Sequence, residues 1–166
     1  MVRGAEAGDM PTVATIFGGY VERTVITFEV EPPSIRAWQQ RLDDLRAAGW
    51  PFLVGELDNE VIGYAYVAAW RSKPAYRFTV ENTVYLAPEH TGRGYGRRLL
   101  DRLLRAAAQA GARQVIAVIA DSDEDASVAL HRAAGFTKAG RLHAVGHKHG
   151  RWVDVTLMQV SFPAPT

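Results

Sequence analysis

Apolar positions recur along this chain with two periods. Met10, Val13, Ile16, Phe17, Tyr20 and Val21 fall at helical spacing, with Pro11 in the first turn, and Asp9 is expected to cap that helix. Ile35, Trp38, Leu42 and Leu45 share one face of a second helix, which Ser34 can cap and Gly49 can stop. Residues 24–33 between them form a loop. Residues 52–57 and 61–70 are apolar, aromatic and β-branched, with Asp58-Asn59 placed as a hairpin turn. A strand over 77–87 puts Thr79, Glu81, Thr83 and Tyr85 on one face. Val80, Asn82, Val84 and Leu86 take the other, unless a bulge shifts the parity.

Residues 2–7 add a short strand ahead of the first helix. After a glycine-rich stretch, Leu99, Leu100, Leu103, Leu104 and Ala107 turn one helix face inward, while Arg98, Arg102 and Arg105 point to water. Residues 115–120 are continuously apolar, as in a strand buried on both faces. Ser122 with Asp125 three later resembles a capping box for a helix through Leu130 to Ala134, which Gly135 ends. Two strands, near 136–145 and 152–162, flank a turn at Lys148-His149-Gly150. The order β-α-α-β-β-β-α-β-α-β-β predicts an α/β fold with a mixed sheet. Its early strands are antiparallel hairpins, and the strands at 77–87 and 115–120 are parallel through a right-handed crossover. One domain over 1–161 with a tail at 162–166 is expected.

Composition narrows the function more than the fold. Nineteen basic residues against eighteen acidic leave a formal charge of +1, which gives no electrostatic reason to bind nucleic acid or a membrane surface. The absence of cysteine excludes disulfides, thiolate metal sites and a cysteine nucleophile. No apolar run reaches membrane-spanning length, and the first residues carry no signal core, so a cytoplasmic location is expected.

The stretch "PEHTGRGYGRRLL" at 88–100 places three glycines in five positions before a helix. A helix N-terminus offers unpaired amides and partial positive charge, and glycines let an anion approach them. Gly92, Gly94 and Gly96 fit that use, with Arg93 and Arg97 at the rim. An ordinary tight turn is the competing explanation. A P-loop would need lysine and then Ser or Thr after the last glycine, where Arg97 and Arg98 stand. A dinucleotide fingerprint would need a final glycine that "GRGYGR" lacks, and would follow repeated βαβ units rather than hairpins.

"VYLAPEHTGRGYGRRLL" resembles the acyl-CoA-binding motif of the GNAT acetyltransferases, Gln/Arg-x-x-Gly-x-Gly/Ala. "RFTVENTVYLAPEHTGRGYG", "SVALHRAAGF", "GHKHGRWVDV" and "TFE" at 27–29 are similar, in order, to the phosphinothricin N-acetyltransferase group. The resemblance implies a GNAT-type acyltransferase fold with splayed parallel strands 77–87 and 115–120 and acetyl-CoA in the gap. It implies no metal. Pantetheine would pair with backbone near Val84, Tyr85 and Leu86, and the diphosphate would sit on the amides from Gly92 through Arg93, Gly94, Tyr95 and Gly96 to Arg97. Ser127 and Glu124 would lie near the cofactor. Three positions depart from the pattern. Thr91 replaces the usual Gln or Arg, Glu124 stands where an Asn often contacts the cofactor, and Lys73 in "KPAY" replaces an Arg.

Amine acetylation requires a deprotonated amine, a stabilised oxyanion and protonation of the departing thiolate. Glu81 is the candidate base, walled by Phe78 and Tyr85, although a solvated face or an arginine pair would also explain it. A backbone amide near Leu86, freed by a bulge, would serve the oxyanion. His131 stands where many family members have a tyrosine that protonates the thiolate. A histidine there can do that, act as the base instead of Glu81, or simply hold a hydrogen bond. Lys73, Tyr76 and Arg77 are candidate carboxylate or phosphinate contacts, and Phe28 a pocket wall. His143, His147 and His149 suggest a metal cluster less than surface or pocket-wall positions. The four tryptophans are expected to pack. The implied activity is N-acetylation of a small amino-acid analogue such as phosphinothricin, methionine sulfoximine or methionine sulfone, by direct attack in a ternary complex, in a homodimer. Another amine acceptor and a non-catalytic acyl-CoA-binding module are the alternatives.

Overall fold

Both apolar periods resolve into regular elements in the computed structural model, which describes residues 1–122 and 125–163. In chain order these are β1 (Val2–Gly4), α1 (Met10–Arg23), α2 (Ile35–Ala47), β2 (Phe52–Leu57), β3 (Glu60–Ala69) and β4 (Thr79–Leu86). There follow α3 (Tyr95–Gln109), β5 (Gln114–Ala120), α4 (Ala126–Ala133), β6 (Thr137–Lys148) and β7 (Arg151–Ser161). The strands form one mixed sheet in the order β1-β2-β3-β4-β5-β7-β6. Only β4 and β5 run parallel among the described strands. Asp58 and Asn59 both take left-handed φ, at 50° and 66°, as a two-residue hairpin between twisted strands requires.

Side-chain alternation divides the core between the two sheet faces. On one, Val13, Phe17 and Val21 of α1 and Trp38 and Leu42 of α2 pack on Phe52, Val54, Tyr64 and Tyr66. On the other, α3 buries Leu99, Leu100, Leu103 and Leu104 against Ala65, Val67, Val80, Val115 and Ala117. Each buried leucine contributes roughly 1.5–3 kcal/mol relative to exposure. Arg98, Arg102 and Arg105 face water.

Three local expectations are corrected. Asp9 precedes α1 but does not cap it. Its carboxylate instead accepts from the Glu6 amide at 2.8 Å and from both terminal nitrogens of Arg3 at 2.8 and 2.9 Å, which holds it below the usual carboxylate range. The arginine wins because a charge-assisted bidentate pair is stronger than a neutral cap. Helix α4 starts at Ala126, so Ser122 lies too early to cap it. Trp152 is 69% exposed and lies against the His147 ring rather than in the core.

The feature that positions the site is the β4–β5 seam. Its pairing covers only Thr79 with Gln114, Val80 with Val115, and Glu81 with Ile116. Both strands continue beyond, β4 held by β3 as far as Leu86 and β5 held by β7 as far as Ala120. The expected splay is therefore present, and it opens immediately after Glu81.

Candidate active site

The open end of the splay faces the start of α3. Gly92 and Gly94 have φ of 72° and 81°, a region that favours glycine, and Gly94 occupies the N-cap position. A Cβ added at either would meet nothing within 4 Å, so no protein packing accounts for the missing side chains. No side chain caps the helix, and the first amide bonded within it is Arg98 to the Gly94 oxygen. The first-turn amides of Tyr95, Gly96 and Arg97 thus point outward with the positive end of the helix dipole behind them. Arg97 is tied to Asp101 at 2.8 Å, while Arg93 is exposed. Thr91 closes the preceding turn, its hydroxyl donating to the Pro88 oxygen at 2.8 Å.

Within the gap, β4 presents a bare edge. Trp70 donates to the Thr79 oxygen and Ala87 to the Ile62 oxygen, so the odd-numbered residues of β4 bond to β3. Main-chain groups of Val84 and Leu86 turn toward β5, and those of Tyr85 belong to β3. The Leu86 oxygen already accepts from the Tyr20 hydroxyl at 2.7 Å. Register with β3 runs unbroken from Val80 to Leu86, so the amide near Leu86 is freed by the splay and not by a bulge.

Glu81 lies on the face covered by α1 and α2, beside Ala68 and Ile116. It forms no ion pair among the described residues, and burial raises its pKa above the ordinary carboxylate value, with Arg71 pulling weakly the other way. Arg71 itself lies over the Trp70 ring at 4.3 Å. Tyr85, on the same face, packs half-buried against Phe17, Tyr20 and Tyr64, and its hydroxyl meets the Thr27 side chain. Phe78 is 47% exposed with Arg77 over its ring. Ile116 and Val118 continue this face along β5, partly open to solvent. A carboxylate in such a place is a better proton acceptor than an exposed one, and the strand gap opens beside it.

The loop 24–33 reaches across to β6. The Phe28 ring lies so close on Gly146 of β6 that a Cβ there would come within 2.3 Å of it. Lys148, 5% exposed, donates to the Thr27 oxygen at 2.9 Å, and burial lowers its pKa. Lys73, Tyr76 and Arg77 stand exposed on the β3–β4 connection. Arg77 donates to the Pro74 oxygen at 3.3 Å.

His131 sits on the opposite face, 3% exposed. Its Nδ1 is 2.7 Å from the Ser127 main-chain oxygen, and its Nε2 is 2.9 Å from Nδ2 of Asn82. Burial lowers its pKa. The structure therefore separates Glu81 and His131 by the thickness of the sheet. The Ser127 hydroxyl lies 3.5 Å from the His131 ring. Glu124 lies outside the described residues. His143 pairs with Asp154 at 3.1 Å, His147 meets Trp152 with the rings tilted at 51°, and His149 occupies the hairpin turn.

Tyr20, Asn82 and Lys148 were not singled out from the sequence. Asn82 carried a signal, a polar residue on an otherwise apolar strand face, whereas the Tyr20 and Lys148 contacts join residues 66 and 121 positions apart.

The acetyltransferase (GNAT) family model matches residues 19–136. A phosphinothricin N-acetyltransferase of Alcaligenes faecalis is 42% identical over 158 residues, covering 95% of this chain and 80% of that protein. An L-methionine sulfoximine/L-methionine sulfone acetyltransferase of Salmonella typhimurium is 37% identical over 162 residues, covering 96% and 92%. A crystal structure of a GNAT superfamily phosphinothricin acetyltransferase from Sinorhizobium meliloti in complex with AcCoA superposes with a TM-score of 0.94. It is 40% identical and covers 100% of this chain and 92% of that one.

Proposed function

The chain belongs to the acetyltransferase (GNAT) family, and from that premise we propose that it moves acetyl from acetyl-CoA to the primary amine of a small amino-acid analogue. The phosphinothricin, methionine sulfoximine and methionine sulfone type is the favoured acceptor, since relatives across nearly the whole chain are named for it. One observation carries the reading: a desolvated carboxylate, Glu81, stands at the vertex of a strand gap whose mouth is a side-chain-free helix start.

The residues present fit acetyl-CoA, which would supply an acyl carbon activated as a thioester. First-turn amides of α3, set by left-handed Gly92 and Gly94, suit a diphosphate. The bare edge of β4 at Val84 and Leu86 suits the pantetheine amides, with the Leu86 amide left to face a developing oxyanion. Tyr85 shapes the groove rather than bonding the cofactor through its backbone. Arg93 adds positive charge at the rim. Ser127 contributes through α4, whose carbonyl it lends to His131.

Glu81 takes the proton from the acceptor's ammonium, directly or through a water, because it faces the open groove. His131 faces away from that groove with both ring nitrogens engaged and is not assigned the task. Transfer is direct, with both substrates bound, in a chain that has no cysteine to carry an acyl group. Lys73, Tyr76 and Arg77 bind the acceptor's anionic head, and Phe28 closes the far side. Lys73 lacks the bidentate fork of an arginine, which makes its hold on a planar carboxylate less directional. The proposed partner is a second copy of the chain, seated on the exposed β6–β7 edge, where Leu142, Val145 and Trp152 are uncovered.

The deciding experiment is thiol release from acetyl-CoA with a panel of amines that includes phosphinothricin and methionine sulfone. Saturable release with these and weak release with polyamines or aminoglycosides is the expected outcome. Tight CoA binding with no release for any acceptor would replace the enzyme reading by a binding module.

A further inference from the structure

Asn82 is the first β4 residue past the last parallel pair, and it is only 7% exposed. Its side chain leaves the sheet on the α3/α4 face and meets His131 there. The orientation of that amide follows from the imidazole. Nδ1 of His131 lies 2.7 Å from a carbonyl oxygen, which can only accept, so Nδ1 carries the ring proton. Nε2 of the neutral ring is then an acceptor, and Asn82 must offer it the NH2 group. The other amide atom, Asn82 Oδ1, is enclosed and has no hydrogen-bond partner. A buried amide oxygen without a donor is uncommon in a folded chain and calls for a specific explanation.

Its location supplies one. A cofactor arm that enters over the α3 amides passes Leu86 and then Val84 along the bare edge. It reaches Asn82 four residues after Leu86, about 13 Å at the strand rise. The reactive end of such an arm arrives last, and the pantetheine arm of coenzyme A carries an amide N–H close to its sulfur. We infer that Asn82 is a positioning residue for acyl transfer: its NH2 group locks His131 as the Nδ1–H tautomer, and its free Oδ1 accepts the cofactor's sulfur-proximal amide N–H. This rests on acetyl-CoA occupying the gap as proposed above. It also gives His131 a definite part. With its proton donated to the α4 backbone and its lone pair filled by an amide, the ring has neither to lend to the reaction. It is the strut that aims Asn82.

The test reads the tautomer and the affinity separately. Long-range proton–nitrogen spectra of the unliganded protein at pH 7 are expected to show His131 protonated at Nδ1. Asn82→Asp, which can only accept, is expected to convert His131 to the imidazolium at the same pH. Asn82→Leu, similar in volume and unable to bond, is expected to weaken CoA binding by about five- to tenfold in calorimetry while leaving the acceptor's KM unchanged. An Nε2–H tautomer in the wild type would reverse the amide and overturn the inference, even if the variants do not fold. Wild-type CoA affinity in Asn82→Leu would overturn it as well. Absence of CoA binding by the wild type would instead bring down the functional reading on which it stands, and would leave the tautomer result intact.

Discussion

Glu81 was legible as a carboxylate interrupting a buried strand, and alternation alone put it on the same face as Tyr85. What alternation could not supply was its isolation, since no ion pair reaches it among the described residues. Glu81→Gln should lower turnover at neutral pH by about 10²–10⁴-fold and leave CoA affinity near that of the wild type. The same variant should lose the acid limb of the pH–rate profile. In the wild type, activity falls as pH drops through the Glu81 pKa, which burial sets above the ordinary carboxylate value. A variant with full activity would remove Glu81 from the mechanism. His131 gives a stability prediction of definite sign. Its folded-state pKa is depressed by burial, so below about 6.5 the unfolded chain takes up a proton that the folded chain refuses. Stability is therefore full above that pH and declines as pH falls toward the folded value. Urea midpoints measured from pH 7.5 to 5 should show that decline, and His131→Phe should flatten it.

Element by element, the helices and strands followed from periodicity because each buries one continuous face. The exceptions were ends. Asp9 failed as a cap because Arg3, brought in by β1, claimed its carboxylate, and Ser122 failed because α4 starts late. Long-range partners of this kind leave no mark within a few residues of sequence. The start of α3 was the opposite case. There the glycines were read from spacing, and the structure adds the physical reason, two left-handed φ values and empty surroundings. Gly94→Val puts a branched side chain where the cofactor's diphosphate is proposed to lie, and also strains a backbone at φ of 81°, which costs about 1–3 kcal/mol. CoA affinity should fall by more than tenfold, while far-ultraviolet dichroism stays native. Unchanged affinity in the folded variant would contradict the loop assignment.

For the whole molecule, the parallel direction of the strands at 77–87 and 115–120 was legible because a helix joins them, whereas their splay was implied by the family resemblance alone. The exposed β6–β7 edge was not legible, since Trp152 looks like a core residue until its neighbours are known. If that edge receives a second copy, sedimentation should give a mass near twice 18.2 kDa at micromolar concentration, and Trp152→Glu should shift it toward one chain. A single-chain mass for the wild type would exclude the dimer. The short seam between β4 and β5 has a mechanical meaning as well. With three pairs of residues on its spine, the sheet is creased down the middle, and its two wings part past Glu81. Any molecule wedged into a crease touches both wings at once. Tightness of capture and rigidity of the empty protein are thereby linked in one measurable quantity, the rise in melting temperature per decade of added coenzyme A.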